Sequence, residues 1–234
     1  MIILAVEDDA SFYPVLHEQI LAAVPSAVIN RAASRDSAFE LIASTCFDVA
    51  VCDLKIPSGD GNLDLEVEHG MSVIARIRQQ RAGTPIVVLS GFGTIQSALA
   101  MAREAPKCDV CGDGTEDLLV DHYQKGDLEE CIERLRTFHE RFAETERIEV
   151  RWGIESATVR GEAARPLKIY SRRRNGARVE VVPIAGGLSD ARAMSLTVFD
   201  GNGRIRALAF AKVGHLELLS DERRRYREHV DPLL

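Results

Sequence analysis

The amino-acid sequence predicts a doubly wound α/β domain with a five-stranded parallel sheet, followed by a smaller α+β domain that is mostly β. In residues 1–146, short runs of β-branched apolar residues alternate with amphipathic segments of helical spacing, as expected of strand–helix units. Two of these runs end in acidic residues, at the sheet edge where open parallel sheets bind their ligands. Residues 147–234 instead carry strand-like segments joined by a hairpin turn, and form the second predicted domain.

Composition excludes several classes of protein. The chain has 234 residues, of which 46% are hydrophobic and 28% charged, so it has enough apolar surface for a core. Its apolar runs fall short of the roughly 20 residues of a membrane helix. Acids follow Val6 where a signal peptide needs a longer apolar segment. The five scattered cysteines favour a reducing compartment, so we expect a cytoplasmic protein without membrane contact.

The first strand and helix have clear sequence signals. Ile2–Val6 is uninterrupted and apolar, which is typical of a strand buried on both faces of a parallel sheet. The following helix is predicted to begin after Ser11 as N-cap, to tolerate Pro14 in its first turn and to end before Pro25. The remaining strands of this domain are predicted at residues 27–31, 48–54, 85–90 and 117–120, and the remaining helices at residues 37–45, 71–81, 95–104 and 127–145.

The fifth predicted helix carries one long apolar stripe at helical spacing. Its members are Leu128, Ile132, Leu135, Phe138 and Phe142. The stripe is longer than one face of a sheet requires. We therefore expect the end of this helix to take part in a homodimer or to pack on the C-terminal domain.

The second domain is predicted to hold strands at residues 179–184, 193–199 and 205–213 and a basic helix at 215–230. Asp200-Gly-Asn-Gly203 has the composition of a hairpin turn. Charge also divides the chain, since residues 1–149 carry 13 basic and 26 acidic side chains and residues 150–234 carry 16 and 10. Arg172-Arg-Arg174 is interpreted as a solvated loop, because neither interleaved aromatics nor a helix-turn-helix pattern accompanies it, and we expect no nucleic-acid partner.

Functional side chains follow the predicted strands of the first domain and should meet at one edge of the sheet. They are Glu7, Asp8, Asp9, Asp53, Ser90 and Lys125. Carboxylates that converge repel one another unless a cation lies among them, and oxygen ligands with room for phosphate suit Mg²⁺. A carboxylate beside Mg²⁺ and an ammonium group can attack a phosphoryl donor, since both cations offset the charge on the transferring oxygens.

Four motifs in this order resemble the receiver domain of two-component response regulators over residues 1–140. They are Ile3-Leu-Ala-Val-Glu7-Asp8-Asp9, Asp48-Val-Ala-Val-Cys-Asp53-Leu-Lys55-Ile-Pro57, Val87-Val-Leu-Ser90-Gly91 and Tyr123-Gln-Lys125-Gly126. The resemblance implies that Asp53 accepts a phosphoryl group from a sensor histidine kinase or a phosphotransfer protein. It further implies a Mg²⁺ site made by Glu7, Asp8, Asp53 and the main-chain carbonyl of Lys55.

The same resemblance assigns the switch hydroxyl to Ser90 and the phosphate-pairing lysine to Lys125. Three features depart from the family pattern. His122 stands where an aromatic switch residue is usual, Gly126 replaces a common proline, and the loops at residues 58–70 and 105–116 are longer than usual. An acid at a strand end can also cap a helix or form a salt bridge. We interpret Asp9 as a helix N-cap rather than a metal ligand.

Cys108-Asp-Val-Cys111 has the spacing of a zinc knuckle, but a second Cys or His pair does not follow closely. Cys131, His122 or His139 would complete such a site only through tertiary folding. Metal binding, a disulfide and a purely structural role therefore all stay open for Cys108 and Cys111.

The stretch from residue 183 to 230 resembles the N-lobe of aminoglycoside-phosphotransferase-like kinases, which implies a five-stranded N-lobe sheet. Gly186-Gly187 would cover nucleotide phosphates, Lys212 would pair with them, and Glu222 (alternatively Glu217) would pair with Lys212. Only 22 residues follow Lys212, so residues of a kinase C-lobe are missing from this sequence. The alternative is that Gly186-Gly187 forms a simple turn and that Lys212 is a surface residue.

We expect a response regulator that accepts a phosphoryl group on Asp53 in a Mg²⁺-dependent reaction and signals through its fifth helix and C-terminal domain. Apart from its own phosphorylation, we expect no enzymatic activity. The alternative function is a regulatory and N-lobe fragment of a larger phosphotransferase or kinase.

Overall fold

A computed structural model describes residues 1–91, 106–153, 160–184, 191–214 and 216–229 of the chain. The polypeptide divides into two compact units, Met1–Ala143 and Glu144–Leu234. Within the described residues, the helices are too short or too polar to cross a bilayer. The predicted helix at 95–104 and the predicted glycine pair Gly186-Gly187 lie outside the described residues.

The first unit contains a five-stranded parallel sheet with the strand order β2-β1-β3-β4-β7. This confirms the predicted doubly wound fold. The order reverses at β1, which lies between β2 and β3, so the crevice at their carboxyl ends is the expected ligand site. The strands of this unit are β1 (Ile2–Val6), β2 (Val28–Ala32), β3 (Val49–Cys52), β4 (Ile86–Ser90), β5 (Lys107–Cys108), β6 (Asp117–Leu118) and β7 (Val120–Gln124).

Helices cover both faces of this sheet. Its described helices are α1 (Phe12–Ala23), α2 (Arg35–Ser44), α3 (Val67–Gln80) and α4 (Leu128–Glu146). Side chains alternate across each strand: Leu4 and Val6 pack with residues of α2 and α3, whereas Ile3 packs with residues of α1 and α4. Because both faces are covered, β1, β3 and β4 are almost wholly buried, which explains their continuous apolar sequences.

The fifth strand of the sheet is displaced from its predicted position at 117–120. β7 (Val120–Gln124) pairs with β4, while Asp117–Leu118 instead forms a two-stranded antiparallel ribbon with Lys107–Cys108. β7 is an edge strand whose residues after Val120 are only partly buried. Its polar sequence therefore lacks the apolar run that identifies the inner strands.

Two predicted helix starts also need correction. Ser11 makes no side-chain cap; Asp9 accepts hydrogen bonds from the backbone N–H groups of Ser11 and Phe12 instead. α3 begins at Val67 rather than at residue 71. The predicted start was too late because Gly70 interrupts the apolar pattern of the first turn.

The apolar stripe of the fifth predicted helix belongs to the core of the first unit. Helix α4 begins after a 3₁₀ turn at Lys125–Asp127. Ile132, Leu135, Phe138 and Phe142 are buried in the cluster formed on its side of the sheet. Phe138 and Phe142 stack at 5.7 Å between ring centroids. Phe142 is thus not an exposed side chain available to a second copy.

The second unit is mostly β, as predicted. Its strands are β8 (Glu149–Trp152), β9 (Arg178–Pro183), β10 (Arg192–Phe199) and β11 (Ile205–Val213), and its described helices are α5 (Arg160–Arg173) and α6 (Leu216–His229). They form one sheet with the order β11-β10-β9-β8, in which β8 runs parallel to β9 and the other pairs are antiparallel. The described residues therefore form four strands, against the five that a kinase N-lobe implies.

Two elements of this unit, β8 and α5, were not predicted from the sequence. Arg172 and Arg173 were predicted to lie in a loop but lie in the last turn of α5. Pro166 inside the helix and its many polar residues hid the helical pattern. The predicted hairpin is present: Asp200 accepts hydrogen bonds from the N–H groups of Asn202 and Arg204.

Candidate functional site

The candidate site lies at the carboxyl ends of β1 and β3. Glu7 and Asp53 each extend the backbone ladder by one bond, because Glu7 N donates to Ala32 O and Asp53 N donates to Val6 O, both at 2.9 Å. The two side chains therefore leave adjacent strands at the same edge of the sheet. Glu7 is 1% exposed and Asp53 6% exposed, so both carboxylates are largely removed from water.

Lys125 connects these two acids. Its Nζ lies 2.8 Å from Glu7 Oε2 and 2.7 Å from Asp53 Oδ2. It also lies 4.7 Å from the centre of the Phe12 ring, which covers the ammonium group. Lys125 follows directly after β7, so the edge strand that the sequence analysis misplaced is the element that brings it into the pocket.

Three carboxyl groups meet beside this lysine. Oxygens of Glu7, Asp8 and Asp53 lie within 4.8 Å of one another, and among the described residues they are the group that could hold a metal ion. Three acids against one ammonium leave an excess of negative charge. A divalent cation with a preference for oxygen ligands fits this donor set and this charge.

Burial already shifts the titration of these groups. Desolvation raises the pKa of Glu7 to about 7, although the Lys125 ammonium opposes the shift. Desolvation also raises the pKa of Asp8. For Lys125 burial lowers the pKa, but the nearby Asp53 and Glu7 outweigh it and the net pKa is raised. Without a cation, the pocket therefore favours a protonated acid beside a charged lysine.

Backbone groups and one arginine complete the pocket. The N–H of Lys55 donates to Asp53 Oδ1 at 3.2 Å, and the N–H of Asp9 donates to Glu7 Oε1 at 3.1 Å. Arg31, which the sequence analysis missed, donates to the main-chain carbonyls of Glu7 and Asp8 at 3.1 and 3.2 Å. Its only sequence signal is its place at the end of the second predicted strand. Arg31 holds the loop that carries two of the three acids.

Ser90 and His122 form a second polar contact at the same edge of the sheet. β4 and β7 pair in the register Val88 to His122 and Ser90 to Gln124. Ser90 Oγ lies 2.9 Å from His122 Nε2, and Ser90 is fully buried. Burial lowers the pKa of His122, with a smaller opposing effect of Asp121. The imidazole is therefore neutral near pH 7.

The long loop before β7 is ordered by carboxylates rather than by cysteine chemistry. Asp109 accepts hydrogen bonds from three successive N–H groups, those of residues 112–114. Arg141 of α4 binds Asp113 through two bonds at 2.7 and 3.0 Å and Asp117 at 2.8 Å. All five cysteines are thiols, with Cys108 partly buried and Cys111 buried. A metal-binding group that includes Cys108 or Cys111 is not found among the described residues.

In the second unit, Lys212 Nζ lies 2.6 Å from Glu222 Oε1. This is the pair that the kinase N-lobe resemblance implies, formed between β11 and α6. Both side chains are 46% exposed, so the contact is one between partly solvated charges. The same face of β11 exposes Leu208 and Phe210.

A protein-family model matches the part of the chain that contains most of the pocket residues. Residues 3–106 match the family model of the response regulator receiver domain. This match supports a receiver domain in the first unit. It includes Asp8, Asp53 and Ser90 and ends before Lys125, which the fold brings to the same place.

No curated protein sequence matches the chain significantly. Among solved structures, the receiver domain of the Francisella response regulator 1452 is 20% identical, with 60% of this chain and 97% of that chain covered and a TM-score of 0.42. The receiver domain of NtrX from Brucella abortus is 22% identical, with 58% and 98% covered and a TM-score of 0.40. An adenylate cyclase from Rhodopirellula baltica is 18% identical, with 62% and 93% covered and a TM-score of 0.42.

Proposed function

We propose that the first unit accepts a phosphoryl group on Asp53 in a Mg²⁺-dependent reaction. The donor would be a sensor histidine kinase or a phosphotransfer protein, as for receiver domains in general. The observation that carries this proposal is the position of Lys125 Nζ, 2.7 Å from Asp53 Oδ2. An ammonium group at that distance neutralises a nucleophilic carboxylate through Oδ2, while Oδ1 accepts the longer hydrogen bond from Lys55 N–H at 3.2 Å.

In the transfer step, one carboxylate oxygen of Asp53 attacks phosphorus. The bond between phosphorus and the donor's imidazole nitrogen or acyl oxygen breaks, and the leaving group keeps the electron pair. Negative charge then accumulates on the three non-bridging phosphoryl oxygens, and the Lys125 ammonium can shift to form an ion pair with one of them. A bound Mg²⁺ supplies further positive charge to these oxygens, and Glu7, Asp8, Asp53 and the Lys55 carbonyl are the groups proposed to hold it.

Phosphorylation would be passed on through α4 and the second unit. Lys125 is the first residue of the 3₁₀ turn (Lys125–Asp127) after which α4 starts, so a lysine that shifts from Asp53 toward a phosphoryl oxygen would displace the start of this helix. α4 continues from Leu128 to Glu146, across the boundary between the units at residue 143.

Intact-mass spectrometry after treatment with acetyl phosphate and Mg²⁺ tests this function. The wild type should gain about 80 Da, the mass of one phosphoryl group. It should gain nothing when EDTA is present from the start of the reaction. Asp53→Asn should gain nothing. Asp36→Asn, which changes an exposed acid of α2, is the matched control and should behave as the wild type. Equal labelling of Asp53→Asn and the wild type would exclude Asp53 as the acceptor.

A second candidate function rests on the ion pair between Lys212 and Glu222. We propose that the second unit corresponds to the nucleotide-binding lobe of a kinase-like phosphotransferase, with Lys212 directed at phosphates and the apolar face at Phe210 directed at the base. One lobe leaves most of a nucleotide in water, so affinity should be weak, about 1 mM or poorer.

Titration with Mg-ATP, followed by NMR shifts of the second unit's amides in the full chain, tests this candidate. Lys212→Ala should remove the shifts on β11 and α6. Arg206→Ala, which removes a positive charge from the same strand, should leave them in place. Wild-type spectra that do not change at millimolar ATP would exclude nucleotide binding by the second unit. They would not affect the proposal that Asp53 is phosphorylated.

A further inference from the structure

His122 makes a contact with Ser90 that a hydrocarbon ring could not make. Ser90 Oγ and His122 Nε2 lie 2.9 Å apart at the carboxyl ends of paired strands. Ser90 is the residue expected to hydrogen-bond a phosphoryl group on Asp53. The contact therefore joins His122 to the one hydroxyl that would report phosphorylation.

The hydrogen bond of Ser90 to His122 and its proposed bond to the phosphoryl group compete for the same hydroxyl proton. A serine hydroxyl has one proton to donate, and a neutral imidazole has one donor and one acceptor nitrogen. In the described part of the chain, His122 Nε2 is the hydrogen-bond partner of the fully buried Ser90 hydroxyl. Since a buried donor without an acceptor is costly, the hydroxyl donates to Nε2 in the resting state, and the ring proton is on Nδ1.

A phosphoryl group on Asp53 changes this arrangement. Its oxygens only accept hydrogen bonds, so Ser90, in its proposed role of binding the phosphoryl group, must donate its single proton to one of them. His122 Nε2 can then keep its contact with Ser90 only by carrying a proton itself, so the neutral ring changes tautomer: Nε2 takes a proton from water and Nδ1 releases its proton to water. The bond reverses its direction, from hydroxyl to imidazole at rest to imidazole to hydroxyl after phosphorylation.

We propose that His122 is a positioning residue that hands the Ser90 hydroxyl over to the phosphoryl group by this reversal. In the phosphorylated state Nε2–H donates to Ser90 Oγ while Ser90 donates to a phosphoryl oxygen. Each donor polarises the next, which strengthens the bond to the phosphoryl oxygen. The inference rests on the proposed function of Asp53 and adds the residue that couples its phosphorylation to β7.

Beryllofluoride with Mg²⁺, a stable mimic of the phosphoryl group, provides the binding test. His122→Phe keeps a ring but removes the bond, and should weaken beryllofluoride binding about two- to tenfold, the effect of one hydrogen bond. His122→Gln can still donate to Ser90 and should stay within about twofold of the wild type. His139→Phe makes the same change on α4 and should have no effect.

Nitrogen-15 NMR of the imidazole provides the readout that a merely structural role would not move. Nε2 of His122 should change from an unprotonated to a protonated nitrogen when beryllofluoride binds, and the change should disappear in Ser90→Ala. An unchanged tautomer, or equal binding by His122→Phe and the wild type, would overturn the inference while leaving Asp53 phosphorylation intact. Failure of the wild type to take up phosphoryl groups at all would instead overturn both.

Discussion

Gly70 of α3 lies directly against the backbone of Leu54, the residue that follows Asp53. A Cβ placed on Gly70 would stand 2.3 Å from Leu54 O and 2.7 Å from Asp53 O, and Gly70 N donates to Leu54 O at 3.1 Å. Backbone atoms cannot yield as a flexible side chain can. Helix α3 can therefore contact the backbone of Asp53 and Leu54 because residue 70 has no side chain.

Gly70→Ala should separate α3 from this loop. We expect the free energy of unfolding to fall by about 1–3 kcal/mol, as for other overpacked sites, and phosphorylation of Asp53 to slow because its backbone moves. Gly83→Ala is the control, since a Cβ there meets no atom within 4 Å. Urea unfolding of both variants measures the difference, and equal stability of the two would show that α3 can shift without cost.

Glu7→Gln tests the raised pKa of the buried acid. A folded-state pKa of about 7 lies above the usual value for glutamate, so the folded wild type binds more protons than the unfolded chain between about pH 4.5 and pH 7. The stability of the wild type should therefore decrease across this range through Glu7. Relative to the wild type, Glu7→Gln should gain about 1–3 kcal/mol between pH 5 and pH 8 in EDTA.

Urea unfolding at the two pH values measures this relative gain. The comparison cancels the other titrating groups, which both proteins share. The matched control is Glu18→Gln on α1, an exposed acid outside the pocket, whose stability relative to the wild type should not change with pH. A constant difference between Glu7→Gln and the wild type would contradict the raised pKa.

Metal affinity should separate Asp8 from Lys125. Asp8→Asn removes a carboxylate from the group of three acids and should weaken Mg²⁺ binding at least tenfold, about 1.4 kcal/mol. Lys125→Met removes a competing positive charge 2.7 Å from Asp53, so Mg²⁺ should bind as tightly or more tightly. The phosphorylated form of Lys125→Met should nevertheless fail to alter α4.

Isothermal titration with MgCl₂ measures the affinities, and amide hydrogen exchange of α4 with and without beryllofluoride measures the response. Weaker Mg²⁺ binding by Lys125→Met than by Asp8→Asn would show that the lysine, and not the acid, organises the metal site.

The pocket could be largely predicted from sequence because its residues end apolar strands. Ile2–Val6 and Ile86–Ser90 are continuous apolar runs, so the acids after β1 and the hydroxyl at the end of β4 were placed at one edge by the fold alone. Lys125 was assigned by its motif, while its strand was misplaced. β7 is a half-exposed edge strand, and its polar residues give no apolar pattern to read.

Contacts between distant segments had no comparable signal. Arg31 holds the carbonyls of Glu7 and Asp8, but any arginine at a strand end looks the same in sequence. Helix α5 was missed because Pro166 lies within it, and a proline normally predicts a helix boundary. The bond between Ser90 and His122 depends on the register of β4 and β7, which the sequence leaves open.

Arg141 should be the main electrostatic link between α4 and the long loop before β7. It binds Asp113 and Asp117, and its hydrogen bonds hold the pKa of Asp113 at about 2. Arg141→Met should lower the free energy of unfolding by about 1–3 kcal/mol at pH 7. A depressed carboxyl pKa stabilises the fold above its usual value and loses that effect as pH falls toward 2, so the loss should shrink at pH 3. Arg136→Met, which breaks an exposed pair with Glu133, should cost under about 0.5 kcal/mol at either pH. Urea unfolding of both variants measures these values, and a loss for Arg141→Met that is independent of pH would mean that packing, not charge, holds the loop to α4.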